Sequence, residues 1–290
     1  MMRTIQVPFY IRLGFAVLIT TIILLGVWYS VKAGDSKNLQ MTFLDVGQGD
    51  AILVRAPAGQ QILIDTGDGA GIARRLAANL PWLERRIDLL VITHPHDDHL
   101  GGFAEVLKYF EIGEILYTGA VHTSPAYLNF LREVQARRLP LKIADRPQKI
   151  LLGTDCYLDI IFPRESFQNK NVSNLNNTSI AIKIVYKNTS ILTMGDLEID
   201  AEKKLAQEVD LQADILKISH HGSRNSLDDE LLEKINPQVA VISVGKDNQF
   251  GHPHSGVMKI LEKKRIKTYR TDIDGEIKIE SDGEKIYRNK

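Results

Sequence analysis

The stretch Thr93-His94-Pro95-His96-Asp97-Asp98-His99, at the end of a nearly unbroken apolar run from Ile87, constrains this chain more than any other feature. Such a run reads as a strand buried on both faces. The histidines therefore sit on a tight loop at the end of a buried strand, and Gly101-Gly102 leads into a helix over Phe103–Phe110. In extended backbone His94 and His96 project to the same side, while Asp98 and His99 turn back at the start of the helix. Four nitrogen and oxygen ligands within six residues suit two borderline cations held close together.

One loop cannot enclose two metals, so partners are expected at other strand ends. Asp196 follows the apolar run Ser190–Met194, placed to bridge both ions, and His220 and His221 follow the strand Ala213–Ser219. Asp65 follows Gln61–Ile64, placed to hydrogen-bond a ligand histidine from behind. The spacing predicts further strands over Leu39–Leu44, Ala51–Val54, Ser179–Val185 (a hairpin with Ser190–Met194 around Lys187-Asn188) and Val239–Val244. It predicts helices over Asp68–Leu80, Ser124–Arg137, Glu198–Gln207, Asp228–Ile235 and Ser255–Lys264. Two short strands around Asp274-Gly275 and Asp282-Gly283 close the chain. Two halves of this kind imply an α/β fold, a four-layer αββα sandwich whose central strand ends converge along one edge.

The N-terminus differs. Leu13 to Val31 carries no charge, and Arg3 and Arg12 precede it. At 1.5 Å per residue this run spans roughly 28 Å, enough for a bilayer core. Residues 1–35 are therefore expected to be a signal peptide or an N-terminal membrane anchor, and residues 36–290 one hydrolase domain. Val31-Lys32-Ala33 fits a signal-peptidase site, whereas the length of the run favours an anchor. Either way the positive flank stays inside and the rest is extracytoplasmic. Arg3, Arg12 and Lys32 are three of the 36 basic residues, so the remainder carries three more acidic than basic groups. Global attraction to nucleic acid is thereby excluded, and a DNA contact needs a local patch, for which Lys217, Arg224, Lys246 and Lys259 are candidates. The single cysteine, Cys156, excludes an intramolecular disulfide and lies in an apolar setting typical of a small core residue.

His94-x-His96-x-Asp98-His99 with Asp65, Asp196 and His221 resembles the metallo-β-lactamase superfamily signature. More narrowly, the chain resembles the extracytoplasmic hydrolase-like domain of ComEC competence proteins, standing alone. The matching segments are Asp45-Val46-Gly47-Gln48-Gly49-Asp50-Ala51, Ile64-Asp65-Thr66-Gly67, the histidine loop, His220-His221-Gly222-Ser223, Gly251-His252-Pro253-His254 and Tyr269-Arg270-Thr271-Asp272, covering roughly residues 38–288. The resemblance implies a metallo-β-lactamase sandwich preceded by one hydrophobic helix. Typical dinuclear members carry another histidine before the bridging aspartate. Here no histidine lies between His122 and His220, and Asn174-Leu175-Asn176-Asn177-Thr178-Ser179 stands in its place. An asparagine oxygen is a poorer ligand than imidazole, so the first site is expected to be weaker or to select a harder ion such as Mn²⁺.

The expected site uses two divalent ions, zinc or manganese. His94, His96 and Asp196 would hold one ion, and Asp98, His99, His221 and Asp196 the other. His220 is either the ligand in place of His221 or a substrate contact. Ser223, Arg224 and Asn177 are candidate substrate contacts. His252 and His254 are candidate proton donors, with Asp98 and Asp196 in the catalytic core. Asp50 is either a neighbour of the ions or a turn cap. The expected activity is metal-dependent phosphodiester hydrolysis, a nuclease connected with DNA uptake. The alternatives are another exported metallohydrolase, acting on cell-wall phosphodiesters or lactones, and a non-catalytic module. Expected partners are DNA or another phosphodiester, the membrane through the N-terminal helix, and competence or envelope proteins.

Overall fold

A computed structural model describes residues 8–34, 37–69, 71–168, 170 and 172–289. Among the described residues, fifteen strands form two sheets. The first contains β1 (Leu39–Phe43), β2 (Ile52–Arg55), β3 (Gln61–Ile64), β4 (Arg86–Ile92), β5 (Glu111–Tyr117) and β6 (Leu141–Ile143). The C-terminal β14 (Ile277–Ser281) and β15 (Ile286–Asn289) join it, in the order β15-β14-β1-β2-β3-β4-β5-β6. The second contains β7 (Gln148–Leu151), β8 (Cys156–Phe162), β9 (Ala181–Tyr186), β10 (Thr189–Thr193), β11 (Ile215–Lys217), β12 (Val239–Ile242) and β13 (Lys267–Arg270), in the order β13-β12-β11-β10-β9-β8-β7.

The layers follow from which faces are apolar. Leu89 and Val91 of β4 point into a core shared with the second sheet, alongside Phe43, Ile62, Leu158, Ile182 and Ile184. Leu90 and Ile92 point the other way, against helices α2 (Ile72–Asn79), α4 (Phe103–Tyr109) and α5 (Pro125–Arg137). The second sheet's outer face packs on α6 (Ile199–Glu208), α7 (Asp229–Ile235) and α8 (Ser255–Lys263) through Leu192, Leu205, Leu231, Ile242 and Leu261. Three cores between four layers make the αββα sandwich. It is preceded by one apolar helix, α1 (Phe9–Gly34), whose segment Phe9–Trp28 is long and apolar enough to cross a membrane and contains no buried residue.

Boundaries moved where backbone chemistry overrode periodicity. The helix expected from Asp68 begins at Ile72, because Gly69 and Gly71 take φ values of 112° and 78° that no helix accommodates. The strand expected over Ala213–Ser219 shortens to Ile215–Lys217, because Ser219–Gly222 forms a tight turn. β5 through β8 were not legible as strands. The hairpin at Lys187-Asn188 is present as β9–β10. Cys156 is buried in the inter-sheet core, and burial pushes its thiol up to about 11.

Phe43 is fully buried between the sheets. Phe43→Ala should lower unfolding free energy by about 3–5 kcal/mol, read as a shift in the urea midpoint at unchanged m-value.

Candidate metal centre

The site grows from the end of β3. Asp65, at φ 60°, is buried, and its carboxylate takes three donors. Oδ1 accepts from the Thr93 amide at 2.8 Å, while Oδ2 accepts from Thr93 Oγ1 at 2.7 Å and from His99 Nδ1 at 2.8 Å. This fixes the His99 ring so that Nε2, buried and without a hydrogen-bond partner, faces outward from β3. The amide and hydroxyl of Thr66 both donate to the His99 carbonyl, clamping the short helix α3 (Asp97–Leu100) to β3. The turn at Gly49 is drawn equally close: at φ 121° a Cβ would meet the Asp98 carbonyl at 2.1 Å, so only glycine fits.

Around His99 four donor atoms converge. Asp196 Oδ2, just beyond β10, lies 3.3 Å from His99 Nε2 and 3.5 Å from His221 Nε2. Asp98 Oδ2 lies 3.2 Å from His221 Nε2 and 4.0 Å from His99 Nε2. The ligand atoms of Asp98, His99, Asp196 and His221 all fall within 4.8 Å of one another. Beside them His94 Nε2 faces His96 Nδ1 at 2.9 Å, and the His94 and His99 rings are 4.2 Å apart. His94 Nδ1 is 3.2 Å from both Thr93 Oγ1 and Ser179 Oγ, and Ser179 Oγ also accepts the Asp196 amide.

The turn after β11 sets the remaining histidines. His220, His221 and Gly222 are three successive left-handed residues (φ 48°, 54° and 75°). His221 is buried, with Nδ1 3.0 Å from the Ser243 carbonyl, which leaves Nε2 for the cluster. His220 is half-buried, 4.0 Å from Asp196 Oδ2, and its Nδ1 has no partner. From below, Ser219 Oγ donates to the fully buried Glu202 carboxylate of α6.

The electrostatics follow from crowded carboxylates in a dry place. Burial works to lower His99, but Asp196, Asp65 and Asp98 outweigh it and hold the imidazole well above its usual value. His221 is raised in the same way, by Asp196 and Asp98 against burial. His94 and His96, with burial dominant and His99 nearby, are lowered and neutral. Burial opposes ionisation of Asp196 and Asp98, yet the facing histidines hold both below the carboxylate range. A cluster of carboxylates and imidazoles with buried nitrogen and oxygen atoms that have no hydrogen-bond partner, among them His99 Nε2 and Asp196 Oδ1, suits divalent cations, which would displace the His99 proton.

Several candidate residues are committed elsewhere. Asn177 Oδ1 accepts the Glu198 amide at 3.0 Å, so that oxygen fastens a loop and only the amide nitrogen is left for substrate; the asparagine with an unpartnered buried oxygen is Asn176. His254 is the N-cap of α8, its Nδ1 accepting from the Gly256 amide at 3.1 Å, which removes it as a proton donor through that nitrogen. His252 stands closer, its ring 5.8 Å from His220 and 6.4 Å from His221. Ser223 Oγ is buried without a partner, and Arg224, Lys246 and Lys259 are exposed. Lys217 corrects the expectation of a basic rim: it is fully buried, its ammonium paired with Asp50, 3.3 Å from the Gly195 carbonyl and 3.9 Å from Asp196 Oδ1. Asp50 is thus a partner of that lysine and a 3.5 Å neighbour of His221 Nδ1.

Glu202, Ser179 and His122 were missed as site residues, and Lys217 was expected only as a surface contact for DNA. His122 lies with its ring 5.7 Å from His96. The only sequence trace of Lys217 was its place in β11 next to Ile218, where an inward side chain is normally apolar.

The chain belongs to the Metallo-beta-lactamase superfamily, whose profile matches residues 44–246. It is similar to ComE operon protein 3 of Bacillus subtilis, 26% identical over 83% of this chain and 33% of that protein. It is also similar to Competence protein ComA of Neisseria gonorrhoeae, 29% identical over 85% of this chain and 33% of that protein. The chain spans about a third of these relatives. Among solved structures, CmlA, a diiron β-hydroxylase from Streptomyces venezuelae, shares the fold: TM-score 0.52, 15% identity, 87% of this chain and 54% of that one.

Two outcomes follow from the buried charges. Lys217→Met leaves Asp50 without its cation and should cost about 3–5 kcal/mol; adding Asp50→Asn should recover much of that, as a thermal-unfolding double-mutant cycle would show. Burial is the main cause that pushes Glu202 up to about 8. The unfolded chain ionises this group near 4.5 and the folded chain only near 8, so its contribution to stability falls as pH rises between those values. Unfolding measured in chelator from pH 5 to 8 should show Glu202→Gln losing that decline, an effect of order 3–5 kcal/mol.

Proposed function

We propose that this protein is a metal-dependent phosphodiesterase, a nuclease of the ComEC type acting on DNA at the outer face of the membrane. The observation that carries the chemistry is the convergence of His99 Nε2, His221 Nε2, Asp98 Oδ2 and Asp196 Oδ2. The choice of DNA is supported by relatives named for competence. The extracytoplasmic side is supported by the arginine-flanked apolar helix.

In this proposal Asp98, His99, Asp196 and His221 hold one ion, and His94, His96 and Asp196 the other. Divalent ions, zinc or manganese, would supply Lewis-acid polarisation and a water acidic enough to ionise near neutral pH. The rest falls to the protein. Asp65 holds the His99 ring in one orientation, and the Ser243 carbonyl does the same for His221. Lys217 neutralises part of the carboxylate charge, so that an anionic substrate can approach. Ser223 Oγ, buried and unpaired, donates to a phosphate oxygen, and the exposed Arg224 beside it pairs with the diester. His252, held neutral by burial and by His221, can take up at its unpartnered Nδ1 the proton released by the attacking water and return it to the leaving oxygen. The alternative substrates, lactones or cell-wall phosphodiesters, and a non-catalytic role make different predictions below.

The test is metal content together with hydrolysis of bis-p-nitrophenyl phosphate and of single-stranded DNA. Asp196→Ala and His96→Ala should each lose bound metal and reduce both activities by more than about 100-fold, beyond what loss of a supporting partner costs. Metal retention with turnover no different from the variants overturns the phosphodiesterase assignment. Turnover of the small diester without DNA cleavage moves the substrate to another phosphodiester.

A further inference from the structure

We propose that the end of the sandwich opposite the histidine cluster rests on an anionic lipid surface, so that the active centre opens away from the bilayer. The proposal builds on the assignment of α1 as a retained membrane helix. Its first support is topological. β1 is antiparallel to β2, β2 is antiparallel to β3, and β3 is parallel to β4. β1 and β4 therefore run in the same direction: both finish at the metal centre and both begin at the far end. Four residues separate the last helical residue, Gly34, from Leu39 of β1, so at full extension the helix terminus lies within roughly 18 Å of that far end.

The second support is what that end exposes. Trp82 and Leu83, immediately before β4, are 72% and 68% exposed. Tyr109, immediately before β5 (paired in parallel with β4), is 61% exposed. Leu151, at the end of β7, is 74% exposed; β7, β8, β9 and β10 alternate in direction, so β7 finishes where β10 begins. The loop after Leu151 reaches the β2–β3 turn, with Gly153 against Ala58. Large apolar groups exposed together on one end mark a partner surface, and tryptophan and tyrosine are the side chains that settle at headgroup depth.

The third support is charge. The domain as a whole is slightly acidic, yet the exposed Arg74 and Arg85 share a hollow with Tyr109, where Glu105 is turned to the Gly71 and Ala73 amides, and the exposed Lys108 precedes Tyr109 in sequence. Basic groups around an aromatic and aliphatic patch fit anionic headgroups. β4 is seven residues long, which sets the histidine loop at least about 20 Å from this surface.

The test uses the full chain in lipid nanodiscs of phosphatidylglycerol and phosphatidylcholine. The sequence holds two tryptophans, Trp28 in α1 and Trp82, so Trp28→Phe leaves Trp82 as sole reporter. Expected are a blue-shifted emission, shielding from acrylamide, and quenching when the upper acyl carbons carry bromine. A chain that co-purifies with the discs while Trp82 stays unquenched and open to acrylamide overturns the inference alone. A chain that does not enter the discs overturns the anchor assignment and this inference with it. Shielding from acrylamide without bromine quenching assigns the face to a second copy of this chain and overturns the lipid assignment.

Discussion

Three aspartate side chains, Asp50, Asp65 and Asp196, are almost wholly removed from water at one end of the sandwich, with Asp98 partly so beside them. Burying one carboxylate without compensation is costly, and burying several side by side is prohibitive. Each is compensated by a partner held in a fixed place: Asp50 by Lys217, Asp65 by Thr93 and His99, Asp196 by His99 and His221. The four partners come from the end of β4, the short helix α3, the strand β11 and the turn that follows it. The relative placement of those elements is thus tied to the charge balance of the cluster as much as to the apolar cores behind it.

The two sheets make this affordable in structural terms. Because β4 is apolar on both faces, it can lie between a helical layer and the opposite sheet. Its last residue then emerges in a dry setting flanked by the ends of β3 and β10. An amide of the second half, Ile180, donates to the Thr93 carbonyl, joining the two halves at that edge. The site is consequently a seam between halves, and loosening either sheet would separate ligands that sit on different sides of it.

Much of this was legible in the sequence because periodicity and polarity coincided. The histidine loop, Asp65, Asp196 and the paired histidines each follow an apolar run, so their convergence followed from strand direction alone. What was not legible has physical reasons. Lys217 sits inside a strand where an ammonium group is normally excluded, and its tolerance depends on Asp50, far away in sequence. Asn177 and His254 looked available because a side chain's hydrogen bond to a neighbouring amide leaves no periodic trace. β6 is three residues long, and in β7 the half-buried side carries Gln148 while Leu151 is exposed, so polarity does not mark the inward face. The glycines at 69 and 71 shorten a helix through their positive φ, and Gly69 does so where it lies against Gly101, a contact between segments about thirty residues apart.

The left-handed run His220-His221-Gly222 has a further consequence. Non-glycine residues in that conformation each carry a cost of order 1 kcal/mol, and here it is met from within the protein. Ser219 is held by Glu202, His221 by Ser243, and the Gly222 carbonyl accepts the His254 amide. A turn fixed by its own neighbours does not need an ion to shape it. The turn is therefore a preorganised mount: folding itself has already removed the rotational freedom of the His221 ring that a ligand would otherwise have to remove on binding.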